Sequence, residues 1–506
     1  MYGQLHEAHT ARRGQAALLV ALVVSFCLLR LPSLMGMPLF NDEALALLRA
    51  RDPVNTLGGN FYDGKLLQVF ALAALPHLLP DPLVPARLLG VACGLGVVLC
   101  LAACGRLVMR PWAGLLAGLL YALAPLAAVQ DRLALTDGPL TLISALVLYL
   151  SIAYVDGAAD RRRDALKLGL LIMIGCLIKL SGVFLLLTPA FAALLLAPAG
   201  QRLARLRGLL PAMGLVLALV LPLVLLGYGS AERGKLSTGA DWLLVMVAGA
   251  QMTGGWLLRY LPGPLLLLPL ALLAHARFAA RTGARADTQA GTLLRLVGYL
   301  LACGLAYQAA FVIVGRTLYP RYFLPAWPAL LLAAAVALAE LWRTGGAWRA
   351  TAAATLSLGM LVGLSFNLSY ALAPEQAPLA AIDQAQHFER WTAGQNLPTL
   401  FADLRTEAAT RGGITLVNHT QPRLVNMAAQ IYLDDVPELT QHQLNLAAAD
   451  APAVLQALAR LGPTFVLVDT DVALAYGLEK RFPGLRLWQS YGQPGRPSRF
   501  LLFEQP

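Results

Sequence analysis

The sequence predicts a polytopic α-helical membrane protein of about eleven transmembrane helices, with a small C-terminal α/β domain outside the bilayer. Three observations predict it. Apolar residues fill 58% of the 506 positions and charged ones only 13%, with a mean hydropathy of +0.64, so the chain lacks the charged surface that a soluble fold of this size requires. The apolar residues gather in runs of about 20, the length that crosses a hydrocarbon core. The basic residues sit in short loops at alternate turns, which is the positive-inside pattern of a membrane protein. Their placement accounts for the formal net charge of +11 as topology and excludes a nucleic-acid partner.

The first run, residues 16–34, follows Arg12 and Arg13 and has no small-residue cleavage site after it, so it reads as an uncleaved first helix with a cytoplasmic N-terminus. Next comes a polar excursion, 38–82, holding Asp42, Glu43, Asp52, Asp63 and Lys65 among short amphipathic runs; it is the first external loop. Further spans are expected at 84–105, 112–130, 138–155, 166–178, 182–198, 208–227, 256–275, 293–315, 322–342 and 350–370. The run 166–178 is short before Lys179 and suits a helix that stops short of the far surface or a tilted hairpin arm.

Arg106 with Arg110, Arg161 to Arg163 with Lys167, Arg202 with Arg205 and Arg207, Arg277 with Arg281 and Arg285, and Arg343 with Arg349 mark the cytoplasmic turns. The turns at 38–82, 131–137, near Lys179, 228–255 and 316–321 then face outward, as does everything after Tyr370. The expected domains are therefore 1–370, the transmembrane domain including loop 38–82, and 371–506, a periplasmic α/β domain in a bacterial inner membrane protein.

In that second domain GITLVN (413–418), TFVLVD (464–469) and RFLLFE (499–504) read as buried strands, and 451–461 and 472–481 as helices. Asp469 and Asp471, at the end of a strand, suit the cap of the next helix better than catalysis. All six cysteines fall in or beside apolar segments, so no disulfide framework is expected; Cys100 and Cys104 share a helix face as small packing residues. The Asn-x-Ser/Thr triplets at Asn367 and Asn418 read as coincidence in a bacterial host.

An ionisable group at the end of a span is costly unless water, a partner or a function holds it. Few occur here: Asp42 with Glu43 in FNDEALALLRARD, Asp137 in LTDGPLTLISALVLYL, and the cations Lys65 in YDGKLL, Lys179 in CLIKLSGVF, and Arg316 and Arg321 in GRTLYPRYFLP. Each alone suits a cap, a snorkelling side chain or a solvated helix start. Together they put carboxylates and cations at one interface, as a reaction between a membrane-borne phosphate ester and a hydroxyl requires: a base for the acceptor and fixed positive charge for the departing phosphate.

The Asp-Glu pair after the first helix, Lys65 before Leu66 and Leu67, LTDGPLTL, IKLSG and YPRYFLPAWPALLL occur in an order that resembles the GT-C class of membrane glycosyltransferases. The likeness is to the dolichyl-phosphate-mannose protein mannosyltransferases and the bacterial lipid A aminoarabinose transferases, over most of residues 16–370. The resemblance implies transfer of a sugar from a polyprenyl-phosphate donor on the external side. It assigns Asp42 as general base with Glu43 in support, Asp137 as positioning acid, and Lys65, Lys179 and Arg321 as holders of the lipid phosphate. Where the family has Lys-Pro-Pro-Leu this chain has Leu66 and Leu67 after its lysine, and Arg316 joins the phosphate group by proximity in sequence.

Attack opposite the phosphate inverts the anomeric carbon, and neutralised polyprenyl phosphate leaves without a second acid. Gly64 precedes Lys65, and the external histidines are His77, His387, His419 and His442, so the sequence does not support a metal site, requires no cofactor and leaves a divalent metal open. The acceptor class, a glycolipid, a glycan or a protein, stays open. Two rival readings are a secondary transporter, disfavoured by charges gathered at one surface and by the lack of related halves, and a non-catalytic envelope assembly protein.

Overall fold

The computed structural model describes residues 2–75, 79–156, 161–234, 242–261, 265, 267–273, 288–492 and 499–506. The chain divides into two compact units, one of Met1–Leu34 with Val54–Pro378 and one of Met35–Pro53 with Leu379–Pro506.

The first unit is helical. Among the described residues six helices are long and apolar enough to cross a membrane, and Gly14–Arg30, Pro111–Leu123 and Leu180–Leu196 are shorter apolar helices. The spans expected at 84–105, 138–155, 293–315, 322–342 and 350–370 are found as Leu83–Leu107, Asp137–Asp156, Thr288–Val314, Trp327–Thr344 and Gly346–Leu372. Trp327–Thr344 is the core helix: it is buried along almost its whole length and packs against Pro111–Leu123, Thr288–Val314 and Gly346–Leu372. Leu83–Leu107 crosses Pro111–Leu123 where Gly105 meets Gly114; a Cβ on Gly105 would stand 2.4 Å from the Gly114 Cα, a close approach that only small residues permit.

Three expectations change. The run 112–130 is two helices, Pro111–Leu123 and Pro125–Gln130, because Pro125 has no N–H to continue the first and Ala124 is extended. The run 182–198 is a 3₁₀ turn at Leu180–Leu186, a short α-helix at Leu187–Phe191 and a π turn at Ala192–Leu196. Within the outward turn expected at 228–255 lies the helix Trp242–Tyr260, whose small and polar centre, AGAQMTGG, masks the apolar residues on either side. Of the expected span 256–275, positions 262–264, 266 and 274–275 lie outside the described residues, as do His77, Arg277, Arg281 and Arg285.

The second unit is built on a five-stranded sheet of order β2-β1-β3-β5-β4. Its strands are β1 Ile414–His419, β2 Leu439–Leu444, β3 Thr464–Asp469, β4 Arg486–Tyr491 and β5 Phe500–Gln505. β1 pairs in parallel with β2 and β3, and β5 runs antiparallel between β3 and β4. β1 and β3 are the most buried strands, as their unbroken apolar runs predict. On one face, Val417, Val466, Val468 and Phe503 close a core with Leu455 and Val472 from the helices Ala451–Ala459 and Thr470–Tyr476.

Met35–Pro53 belongs to this unit through backbone pairing: Asn41 N–H donates to Thr392 O at 3.1 Å and Gly394 N–H to Leu39 O at 2.8 Å. Its helix, Asn41–Arg51, ends in an arginine that donates to Gln430 O at 2.7 Å and Ile431 O at 2.9 Å. Arg51 thereby satisfies last-turn carbonyls of the helix Leu424–Tyr432, where a cation is also favoured by the helix dipole.

Candidate active site

Asp137 opens the helix Asp137–Asp156. Lys179 stands where the helix Arg161–Ile178 stops and the chain turns extended, at φ −159° and ψ 132°. The turn after it folds back so closely that a Cβ on Gly182 would stand 2.3 Å from the Gly175 carbonyl carbon, so glycine is required there. This break aims the ammonium across to Asp137: Lys179 Nζ donates to Asp137 Oδ1 at 2.9 Å, with both side chains 4% exposed. The same Nζ lies 3.9 Å over the ring of Tyr322. A buried charge pair of this kind persists only with excellent geometry, and the aromatic face supplies a further attraction.

Arg321 is buried beside this pair, with its guanidinium 5.2 Å from the Tyr319 ring centre and 5.7 Å from that of Tyr322. The 3₁₀ turn Pro320–Ala326 carries it, and Phe311 stacks on Tyr322 with centroids 5.6 Å apart.

Lys65 follows the left-handed Gly64 (φ 68°) that ends the helix Leu57–Asp63. Here the backbone packs tightly: a Cβ on Gly64 would be 3.0 Å from Gly229 Cα and 3.7 Å from Leu180 Cβ, and Gly229 N–H donates to Phe61 O at 2.9 Å. Lys65 and Lys179 are thus each one residue from the contact of Gly64 with Leu180. Gln68 donates to Ala134 O at 2.8 Å, which ties the helix after Lys65 to the loop before Asp137. Half-buried Lys65 has no carboxylate partner among the described residues.

The structure therefore brings Asp137, Lys179, Arg321 and Lys65 into one neighbourhood of the first unit. Arg316, five positions before Arg321 in the chain, is exposed. Asp42 and Glu43 lie in the second unit, in the first turn of Asn41–Arg51. Glu43 is fully buried and accepts the Phe40 N–H at 3.1 Å, so one of its jobs is to hold the start of that helix. Asp42 is half-buried on the same turn.

A second set of buried charges escaped the sequence reading. Arg30 donates from Nε to Asp131 at 3.1 Å and from Nη1 to Asn367 Oδ1 at 3.0 Å, and Tyr121 donates to the other Asp131 oxygen at 3.0 Å. Arg132 donates to the carbonyls of Leu29, Arg30 and Ala128. This network joins the end of the first helix, the 131–137 loop and the helix Gly346–Leu372. The rule that flagged Asp137 applies equally to Arg30, Asp131 and Arg132. Asn367 also donates to Leu123 O and Gly363 O, and with Asn418 it is buried, so neither triplet presents an asparagine for glycosylation. Asp469 caps the helix Thr470–Tyr476, accepting the Val472 N–H at 3.1 Å. Among the described residues no three His, Cys, Asp or Glu side chains gather as a metal site.

Residues 66–226 match the family model described as dolichyl-phosphate-mannose-protein mannosyltransferase. No protein of curated function matches the sequence. In fold, the chain is similar to ArnT from Cupriavidus metallidurans bound to undecaprenyl phosphate, at 16% identity and TM-score 0.56 over 97% of this chain and 98% of that one. The apo form of ArnT gives 17% identity and TM-score 0.56, covering 98% of each chain. The arabinofuranosyltransferase AftD from Mycobacteria gives 16% identity and TM-score 0.50, over 98% of this chain and 40% of that one. The likeness read from the motifs is thus found again in a family model and in folds: the chain is an integral membrane protein with the GT-C glycosyltransferase fold.

Proposed function

We propose that the protein transfers a sugar from a polyprenyl-phosphate donor to an acceptor hydroxyl, with inversion, at the periplasmic face of a bacterial inner membrane. The observation that carries this reading is the buried Lys179–Asp137 pair under Tyr322, with Arg321 and Lys65 beside it, at the ends of membrane helices. Among the described residues of this neighbourhood, three cations stand against one carboxylate and leave two positive charges. That balance suits a phosphate leaving group, which gains negative charge as the glycosidic bond breaks; stabilisation that grows toward the transition state is what accelerates a reaction.

In this proposal Asp42 takes the proton of the acceptor hydroxyl and Glu43 supports it by fixing the helix start. Asp137 orients Lys179, and Lys65, Lys179, Arg321 and Arg316 hold the lipid phosphate. An ammonium has three donors, and Lys179 gives one to Asp137, so the pair can bind phosphate without breaking. The chemistry draws on no cofactor. The ArnT structure with undecaprenyl phosphate bound supports a lipid phosphate as the ligand class. Arginines at alternate turns support a cytoplasmic N-terminus and a periplasmic second unit.

The test is turnover of the purified full chain with a radiolabelled undecaprenyl-phosphate sugar and envelope lipid or glycan extract as acceptor. Release of undecaprenyl phosphate by the wild type and none by Asp42→Asn is the expected result. Equal turnover by the folded variant removes Asp42 from the base role, and an unreactive wild type returns the transporter reading.

A further inference from the structure

A cavity of about 1050 Å³ lies between the first helix, Pro111–Leu123, Trp327–Thr344 and Gly346–Leu372, within the first unit and distinct from the Asp137–Lys179 neighbourhood. Its lining is mostly apolar, with Leu18 and Leu22 from the first helix, Leu116 and Leu119 from Pro111–Leu123 and Leu356 from Gly346–Leu372. Arg110, Arg343 and Arg349 also line it. Arg110 precedes the first turn of Pro111–Leu123, Arg343 lies in the last turn of Trp327–Thr344 and Arg349 in the first turn of Gly346–Leu372, so all three mark one end.

Glu340 bridges Arg110 at 3.0 Å and Arg343 at 2.9 Å, while Arg349 donates to Trp342 O at 3.2 Å. Among the described residues there, three guanidiniums and one carboxylate leave two positive charges. Trp112 and Trp342, both lining the cavity and more than half exposed, stand at the same level, as tryptophans do at a membrane–water boundary. Outside the cavity lining, Arg30 bonds to Asp131 and Asn367 and ties the first helix to Gly346–Leu372. From Arg110 to Leu119 the groove runs about 13 Å along its helix at 1.5 Å per residue, close to the roughly 15 Å hydrocarbon depth of one leaflet.

We infer that this groove is a binding site for an anionic glycerophospholipid, whose acyl chains lie along Leu116 and Leu119 and whose phosphate sits among Arg110, Arg343 and Arg349. A zwitterionic lipid matches the walls but not the charge at the mouth.

The test uses the full chain reconstituted in phosphatidylcholine bilayers, with brominated-acyl phosphatidylglycerol or brominated-acyl phosphatidylcholine titrated in and tryptophan quenching as the readout. The expected result is a saturable component, absent from the Trp112→Phe/Trp342→Phe variant, with a midpoint at least about tenfold lower for phosphatidylglycerol. The Arg343→Glu/Arg349→Glu variant changes exposed side chains only and is expected to bring the two midpoints together. Equal midpoints in the wild type, an undiminished preference in the arginine variant, or a component that survives loss of both tryptophans would each overturn the assignment.

Discussion

Lys179 Nζ sits 2.9 Å from Asp137 Oδ1 and 3.9 Å above the ring of Tyr322, so a single ammonium is gripped by a carboxylate and an aromatic face at once. Halving such a buried pair is far more damaging than deleting it, because the survivor stays charged in a dry place; the cost is about 3–5 kcal/mol. Asp137→Ala is expected to lower the thermal midpoint of the detergent-solubilised protein. Adding Lys179→Met should recover most of that loss. Turnover with a polyprenyl-phosphate sugar is expected to be missing from both variants, and its return in the double variant would show the pair to be structural only.

Tyr322 separates ring from hydroxyl. Its face toward Lys179 contributes about 2 kcal/mol in this desolvated contact. Tyr322→Phe keeps that face and should leave the donor KM near the wild-type value. Tyr322→Leu should raise it by up to about thirtyfold with a smaller change in kcat. Equal KM values for the two variants would mean that the ring does not position the lysine.

What could be read from the sequence was whatever leaves a local trace. Asp137 and Lys179 stood out because a charge at the end of an apolar run is rare, and β1, β3 and β5 because unbroken apolar runs signal buried strands. β2, LTQHQL, is an edge strand with mostly polar, solvent-facing side chains, and β4, RLWQSY, is largely exposed, so neither carries that signal. Tyr322 lies far along the chain from Lys179, and Arg30 meets Asp131 across 101 positions and Asn367 across 337. No periodicity spans such distances. The same holds for Met35–Pro53, whose place in the second unit comes from bonds to Thr392, Gly394 and Gln430.

Gly94 makes the buried Arg30–Asp131 network testable. A Cβ at this position would stand 2.6 Å from the Asp131 carboxyl carbon, and the backbone around it is helical and cannot retreat. Gly94→Ala should therefore push the carboxylate away from Arg30 at a cost of about 1–3 kcal/mol, typical of overpacking. With Asp131→Ala already in place the obstructing group is gone, so the same change should be nearly neutral. Such non-additivity is what two residues in contact show, and additive losses in thermal midpoint would place the strain elsewhere.

Asp469 tests the second unit and depends on pH. Its Oδ1 caps the helix Thr470–Tyr476 through Val472, while Oδ2 is 3.7 Å from Arg423 Nε, whose guanidinium lies 4.2 Å over Trp391. Burial pushes the carboxyl group above its ordinary value, and Arg423 only partly opposes this. A folded-state value above the unfolded one means that the folded chain holds the proton more tightly. The resulting stabilisation is complete below the unfolded value, about 3.9, and is lost as pH rises through the folded one. Asp469→Asn keeps the cap and cannot ionise, so its stability relative to the wild type should climb as pH rises from about 4 toward neutral. Asp469→Ala loses the cap at every pH, at about 1 kcal/mol. Hydrogen exchange of β3 and the following helix in the full chain reads both effects. A stability difference between the asparagine variant and the wild type that is flat with pH would show that Arg423 fully offsets the burial.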